Sequence, residues 1–178
     1  MERWLGLLVL SASAVGCGST EIAYVAPLEE VVPTRSTDVV SDRLVSLPAE
    51  ARRSIDASRL PILLPEDPAL LASTIVTSGA HFIAWSAQGD GVHVSLHGTD
   101  YRWRVGMEPA PPPGTDQVRG ILAVVSENEG IQTATWDEDG LAWALDVECE
   151  RVYDDARCIE QSYVRALAET LQGFGGAR

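Results

Sequence analysis

The side chains of this 178-residue sequence that could do chemistry are two cysteines near the C-terminus, three histidines and two groups of carboxylates. Cys149 and Cys158 stand nine positions apart, one at the end of a strand-like run and the other where a helical pattern starts. In an exported chain such a pair reads as a disulfide, with a reactive thiol or a metal pair as the alternatives. Zinc would need closer spacing or further ligands, and no histidine lies near them in sequence. His93 and His97 fall on one face of one strand, ~13 Å apart, too far for one metal ion unless the strand bends. Ser95 lies between them, about 7 Å from each, and no Gly-x-Ser-x-Gly elbow occurs. His81 is expected on the other face, opposite Gly98. Neither a metal set nor a nucleophile–base pair emerges, so no cofactor and no catalytic residue is expected. Asp137, Glu138 and Asp139 sit at a hairpin tip without the distal bidentate Glu of an EF-hand, and read as turn chemistry. Glu148, Glu150, Asp154 and Asp155 read as a solvated acidic run, the alternatives being weak divalent-cation binding or docking of an Arg-rich partner.

The first 20 residues, MERWLGLLVLSASAVGCGST, do not belong to a fold. Arg3 precedes an apolar run, Trp4 to Val15, that is too short to cross a bilayer core of ~30 Å and ends in small residues. This is the pattern of an export signal. Ala14-Val15-Gly16-Cys17 resembles the lipobox of bacterial lipoproteins, in which the cysteine thiol takes a diacylglyceryl group and the signal is cut before it. Ala14 stands where that family usually has Leu, and Glu2 weakens the charged start; an ordinary secretory signal and a retained anchor are the alternatives. The resemblance implies lipidation of Cys17 and a membrane attachment made effectively permanent by two or three acyl chains, at ~0.8 kcal/mol per buried CH₂. Gly18 is not the Asp that holds some lipoproteins at the inner membrane, which points to the periplasmic face of the outer membrane.

Formal charge is −13, from 26 acidic residues against 13 basic ones, every one of them Arg. Cleavage would remove Glu2 and Arg3 together and leave that charge unchanged. A chain this acidic is not expected to bind nucleic acid or to grip anionic lipid by charge. The absence of Lys reads as a GC-rich genome rather than as phosphate recognition.

The elements that must position these residues are organised around Gly130–Gly173. Asp139-Gly140 is the strongest two-residue type I′ hairpin signal. It places Trp136 opposite Trp143 and Glu138 opposite Leu141, so Ala134 and Trp136 share a face with Leu141, Trp143, Leu145 and Val147. Ala142, Ala144, Asp146 and Glu148 form the other, wet face. A helix from about Ala156 to Gln172 follows, with Ile159, Tyr163, Ala166, Leu167 and Leu171 along one stripe and Asp154 or Asp155 at its start. Upstream, ASTIVTSG, AHFIAWSA and VHVSLHGT read as three strands. With Gly89-Asp90 at the tip joining the last two, Ile83, Trp85, Val92, Val94 and Leu96 are core. Phe82, His93, His97 and Thr99 project together from the opposite face. A loop with Pro111-Pro112-Pro113 is extended and stiff, and VRGILAVVSENEG is one further strand turned by Asn128-Glu129-Gly130. Ser46 to about Ser58 reads as a short helix with Arg52 and Arg53 solvated, and Ile62–Leu64 as an edge strand between prolines. The expected organisation is a signal over residues 1–16, an acylated N-terminus and tether over 17–45, and one α+β domain over 46–178. That domain is an antiparallel sheet of two meanders packed by a C-terminal helix.

Trp136-x-Glu138-x-Gly140-x-x-Trp143-x-Leu145, followed by Val164-Arg165-Ala166-Leu167-Ala168-Glu169-Thr170-Leu171, is similar to the end of a bacterial domain of unknown function. That domain occurs in exported lipoproteins and membrane-anchored regulators, with a distant likeness to sheet-and-helix lipoproteins of the RseB and LolA type. The likeness covers about a quarter of the chain, and the cysteine pair and the long spacer depart from it. It implies a half-open antiparallel sheet whose concave face packs the helix or holds something apolar, and it carries over no catalytic residue.

Two functional classes stand on these residues. One is a non-enzymatic envelope module binding a protein, peptide or lipid on the sheet face or in the cleft between sheet and helix. The other is an exported hydrolase-type enzyme whose site the sequence does not reveal. A purely structural lipoprotein is not separable from the first. The lack of a nucleophile–base pair or a metal set favours the binding module. Phe82, His93, His97 and Thr99 are its candidate face.

Overall fold

A computed structural model describes residues 42–101 and 116–176. Two helices, α1 (Asp42–Ser46) and α2 (Ala49–Ala57), lead into strand β1 (Pro61–Leu64) and helix α3 (Pro68–Ser73). Three strands follow: β2 (Ile75–Ser78), β3 (Phe82–Gly89) and β4 (Val92–Thr99). Four more are β5 (Asp116–Val118), β6 (Ile121–Asn128), β7 (Ile131–Glu138) and β8 (Leu141–Cys149). The described chain ends in α4 (Ala156–Ile159), α5 (Ser162–Thr170) and β9 (Gln172–Gly175). This is an α+β chain with a seven-stranded antiparallel sheet, in the order β2-β3-β4-β8-β7-β6-β5, and a two-stranded sheet of β1 and β9. The signal, the lipobox with Cys17, the tether up to residue 41 and the triple proline lie outside the described residues.

Four two-residue turns set the registers. Asp90-Gly91, Arg119-Gly120, Glu129-Gly130 and Asp139-Gly140 each place both residues at positive φ, between 49° and 84°. That is the type I′ conformation whose twist matches the flanking strands. Across the last turn Trp136 pairs with Trp143 and Glu138 with Leu141, the expected register. In the β3–β4 hairpin the tip is Asp90-Gly91 rather than Gly89-Asp90, because Gly at the second position relieves strain that Asp at that position would keep. Trp85 therefore faces Leu96, not Val94, and His81 lies beside Asp100, not Gly98. The shift is an even number of residues, so every side chain keeps its expected face.

Alternation then sorts the sheet. Ile83, Trp85, Val94, Leu96, Ala134, Trp136, Trp143, Leu145 and Val147 are buried on one face. Val164, Leu167, Ala168 and Leu171 are buried within the same core cluster. β1 closes another side of it: Ile62 and Leu64 are fully buried, and Trp85 Nε1 donates to Leu63 O at 2.7 Å. Gly98 is required where it is, since a Cβ there would overlap the Trp143 ring paired with it.

Several local expectations change. The expected helix from Ser46 begins instead after Pro48, which takes the N-cap position with no side-chain bond; Arg52 and Arg53 are exposed on it, as expected. α1 extends the body N-terminally of residue 46: Arg43 donates to Leu64 O and Thr170 O, both at 3.2 Å. Pro68 starts helix α3, an element the sequence expectations did not include: it stands at the first turn, and Asp67 accepts from Ala69 N at 2.7 Å. Asp116–Asn128 is two strands, split by Arg119-Gly120. The C-terminal helix is broken between Ile159 and Ser162 and ends at Thr170, where the chain becomes strand β9. Its apolar stripe is Val164, Leu167, Ala168 and Leu171; Ile159 and Ala166 are exposed.

Candidate functional site

The sheet face opposite the core is built from β-branched, small and polar side chains. Ala84, Ser86, Ser95, Ala142 and Ala144 are half-buried at its centre, where short side chains leave it shallow. Ile75, Phe82, Leu122 and Val124 are exposed around them. The Phe82 and His97 rings stack with centroids 6.0 Å apart, so two of the candidate face residues do meet. His93 is exposed, with Glu148 as its neighbour on β8. Thr99 is the cross-strand partner of Phe82 and shares its face; its hydroxyl donates to His81 O at 2.8 Å and accepts from Tyr101 N at 3.1 Å, which makes it a tie within the chain reversal. A depression of about 200 Å³ opens on this face between Ile75, Thr77, Ser86, Ser95 and His97.

At the end of β3 and β4, sequence reasoning missed a cluster. His81 Nδ1 lies 2.9 Å from Asp100 Oδ1, Arg59 Nη2 donates to Asp100 Oδ2 at 2.6 Å, and the Tyr101 ring sits 4.3 Å from the imidazole. An aspartate so placed orients an imidazole, but the nearby Thr99 hydroxyl already gives its proton to a carbonyl. The signal was available only once the hairpin register put His81 beside Asp100.

The acidic residues divide. Glu138 leaves the tip to receive Arg119 Nε at 2.7 Å, Arg119 Nη2 at 3.0 Å and Trp136 Nε1 at 3.0 Å. Burial would raise its pKa, but the hydrogen bonds from Arg119 and Trp136 and the guanidinium charge outweigh that and hold it below the ordinary 4.5. Asp155 caps α4, accepting from Arg157 N at 3.0 Å and from the Arg157 guanidinium. Those bonds hold its pKa at about 2. Asp139 and Asp154 are exposed, and Glu150 accepts from Gln88 Nε2 at 3.4 Å. Cys149 and Cys158 lie at disulfide distance, with Cα atoms 6.1 Å apart and both side chains buried. Among the described residues no group of three or more His, Cys, Asp or Glu is arranged to hold a metal ion, and no helix is long and apolar enough to cross a membrane.

Gln132 is a second residue that sequence reasoning passed over. It occupies a core-facing position of β7 alongside Ala134 and Trp136, and is 1% exposed. A polar residue in that parity was the available signal. No protein family, curated protein or solved structure matches the chain.

Proposed function

We propose that this protein is a lipid-anchored envelope module that binds a protein, peptide or lipid on the open sheet face, without catalysis. In this reading Cys17 carries the acyl chains, at the periplasmic face of the outer membrane. The sheet is a rigid pair of meanders backed by the C-terminal helix. The observation that carries it is the open face itself, where exposed Ile75, Phe82, Leu122 and Val124 surround a shallow centre of Ala and Ser. Rings and aliphatic groups around a flat patch suit an apolar or aromatic ligand more than a charged one. The likeness to sheet-and-helix lipoproteins of the RseB and LolA type points the same way.

A photoreactive residue in place of Ser95, at the centre of this face, should give a discrete adduct in intact cells; the same residue in place of Arg52 on α2 should not. Phe82→Asp should abolish the adduct while the protein stays with the membrane. Cys17→Ser should release it to the aqueous fraction. No adduct from Ser95, or one indifferent to Phe82→Asp, overturns the binding face; retention of the Cys17→Ser protein on membranes overturns the anchor. A hydrolase reading draws on the His81–Asp100 pair alone. Ester or amide turnover abolished by His81→Ala would establish it in place of the binding module.

A further inference from the structure

None of the seven strands of the large sheet contains an Arg, and the chain has no Lys at all. Every basic side chain therefore stands outside those strands, while the open face carries Asp146 and Glu148 on β8 and Asp137 on β7. β8 is the central strand of the seven. Asp146 is half-buried and accepts from the Thr133 hydroxyl at 2.7 Å, and Glu148 is exposed. The two carboxylates follow each other ~7 Å apart along the middle of the face, since side chains two residues apart share a face. The apolar groups Ile75, Phe82, Leu122 and Val124 flank this line on either side.

The register gives the face a shape. His97, Ala144, Thr135 and Val124 stand in one row across β4, β8, β7 and β6. His97 and Val124 are exposed, and the two shorter side chains between them are half-buried. Two tall side chains three strand spacings apart, ~14 Å, with Ala and Thr as the floor between them, make a trough. In the next row toward the β3–β4 turn the floor holds Asp146 beside Thr133, so along β8 it passes from methyl groups to carboxylates. From Ala142 to Glu148 that floor is ~20 Å long. These are the dimensions of one short helix: with its side chains an α-helix is ~10–12 Å across, and about 14 residues of it rise ~20 Å. An extended peptide would instead seek an unpaired strand edge for its backbone, which the middle of a sheet face does not offer.

Resting on the reading of the open face as the binding surface, we infer that its trough takes a cationic amphipathic helix of a partner polypeptide. The apolar side chains of the helix lie between His97 and Val124 over Ala142 and Ala144. Its Lys or Arg side chains, in the adjoining turn, reach Asp146 and Glu148, which have no basic neighbour in the sheet. Charge disfavours the other occupants of an apolar face. A second copy related by a two-fold axis would set the same carboxylates against each other, and an anionic lipid headgroup would meet them with its own charge.

Two experiments test this. In intact cells, the adduct formed by a photoreactive residue in place of Ser95 is digested and sequenced. Attachment to a partner segment with apolar residues at helical spacing and Lys or Arg in the next turn is expected. An adduct on lipid, on a second copy of this chain or on an acidic segment overturns the helix and leaves the open face standing; no adduct at all removes both. In solution, the full chain carrying Cys17→Ser is titrated, without detergent, with a synthetic helix of about 14 residues. That peptide has Leu on its inward face over the first two turns, Lys on the same face over the last, and Ala and Gln elsewhere. Saturable binding is expected, at least tenfold weaker for a scrambled peptide of the same composition and absent when Glu replaces Lys. Asp146→Asn with Glu148→Gln should weaken it about tenfold, and Val124→Lys at least as much. Asn at 146 keeps an acceptor for the Thr133 hydroxyl, so the first variant preserves the fold. Glu127→Gln with Glu129→Gln, at the exposed β6–β7 turn, should change nothing. Equal affinity for the scrambled peptide, or equal losses from the two pairs of carboxylate variants, would show attraction to net charge alone and overturn the trough.

Discussion

Arg119 joins three pieces of chain that are far apart in sequence. It stands in a type I′ turn at φ 54°, its backbone N donates to Glu169 Oε1 at 2.5 Å, and its guanidinium forks onto Glu138. The remaining guanidinium nitrogen reaches Ala168 O at 3.3 Å, which also accepts from Leu171 N, and Leu171 O just past the end of α5. The Arg119 and Glu138 side chains are 17% and 18% exposed, so this pair is not the screened surface kind. Arg119→Ala leaves a half-buried carboxylate with only its Trp136 bond and takes the guanidinium from the Leu171 carbonyl, and is expected to cost about 2–4 kcal/mol in urea denaturation. Arg119→Lys should recover only part, because an ammonium cannot fork. A loss below ~0.5 kcal/mol for the alanine variant would show that water replaces these bonds at no cost.

His93 and His97 are the contrasting case. Both are exposed, and the only ring contact of His97 is Phe82 among the described residues. Replacing both with Gln should leave stability within ~0.5 kcal/mol, as for other surface substitutions. Unfolding of the double variant would mean that the strand faces are reversed. If the open face binds its partner as proposed, the same variant should change the affinity.

At the scale of elements, the hairpins were the legible part of this chain. Alternation in β7 and β8, with Asp139-Gly140 between them, gave register and faces together, because a turn requiring positive φ admits few residue pairs. The same physics operates at Arg119-Gly120, yet Arg carries no turn preference of its own. Its tertiary bonds to Glu138 and α5 hold it at positive φ, and those are invisible in sequence. Helix α3 was not read from the sequence, although a proline after Asp67 starts a helix as readily as a proline elsewhere stops one. The helix is expected to run to about Gln172; Gln172–Gly175 is strand instead, paired along Pro61–Leu64. Neither periodicity nor capping residues announced the α4–α5 break. The Cys149–Cys158 pair, by contrast, followed from count and position. It closes a loop of about ten residues between β8 and α4, so Cys149→Ser with Cys158→Ser should cost roughly 2–3 kcal/mol on the chain-entropy account. Mass measurement without reductant should show a two-hydrogen deficit in the wild type, and two native thiols that alkylate readily would refute the bridge.

For the whole molecule, charge and pH act through two different populations of carboxylates. The formal charge of −13 is carried mostly by solvated side chains whose mutual repulsion disfavours the folded state. Raising ionic strength at pH 7 from about 0.01 M to about 0.15 M shortens the screening length from ~30 Å to ~8 Å, and should raise the melting temperature. Glu138 and Asp155 behave in the opposite sense to the solvated majority. Their pKa values in the folded chain lie below the ordinary 4.5 and 3.8, that of Asp155 at about 2. The unfolded chain therefore binds protons on these groups before the folded chain does. Their contribution is complete above the ordinary values and is lost as pH falls through the folded ones. Stability should accordingly decline from about pH 4.5 downward and continue to decline toward pH 2. Glu138→Gln combined with Asp155→Asn should start less stable at neutral pH, where the wild-type charges are fully paired, and should fall less steeply across that window. Calorimetric melting at intervals of pH measures both slopes. Parallel wild-type and variant curves below pH 4.5 would show that the acid sensitivity of this molecule resides in carboxylates other than Glu138 and Asp155.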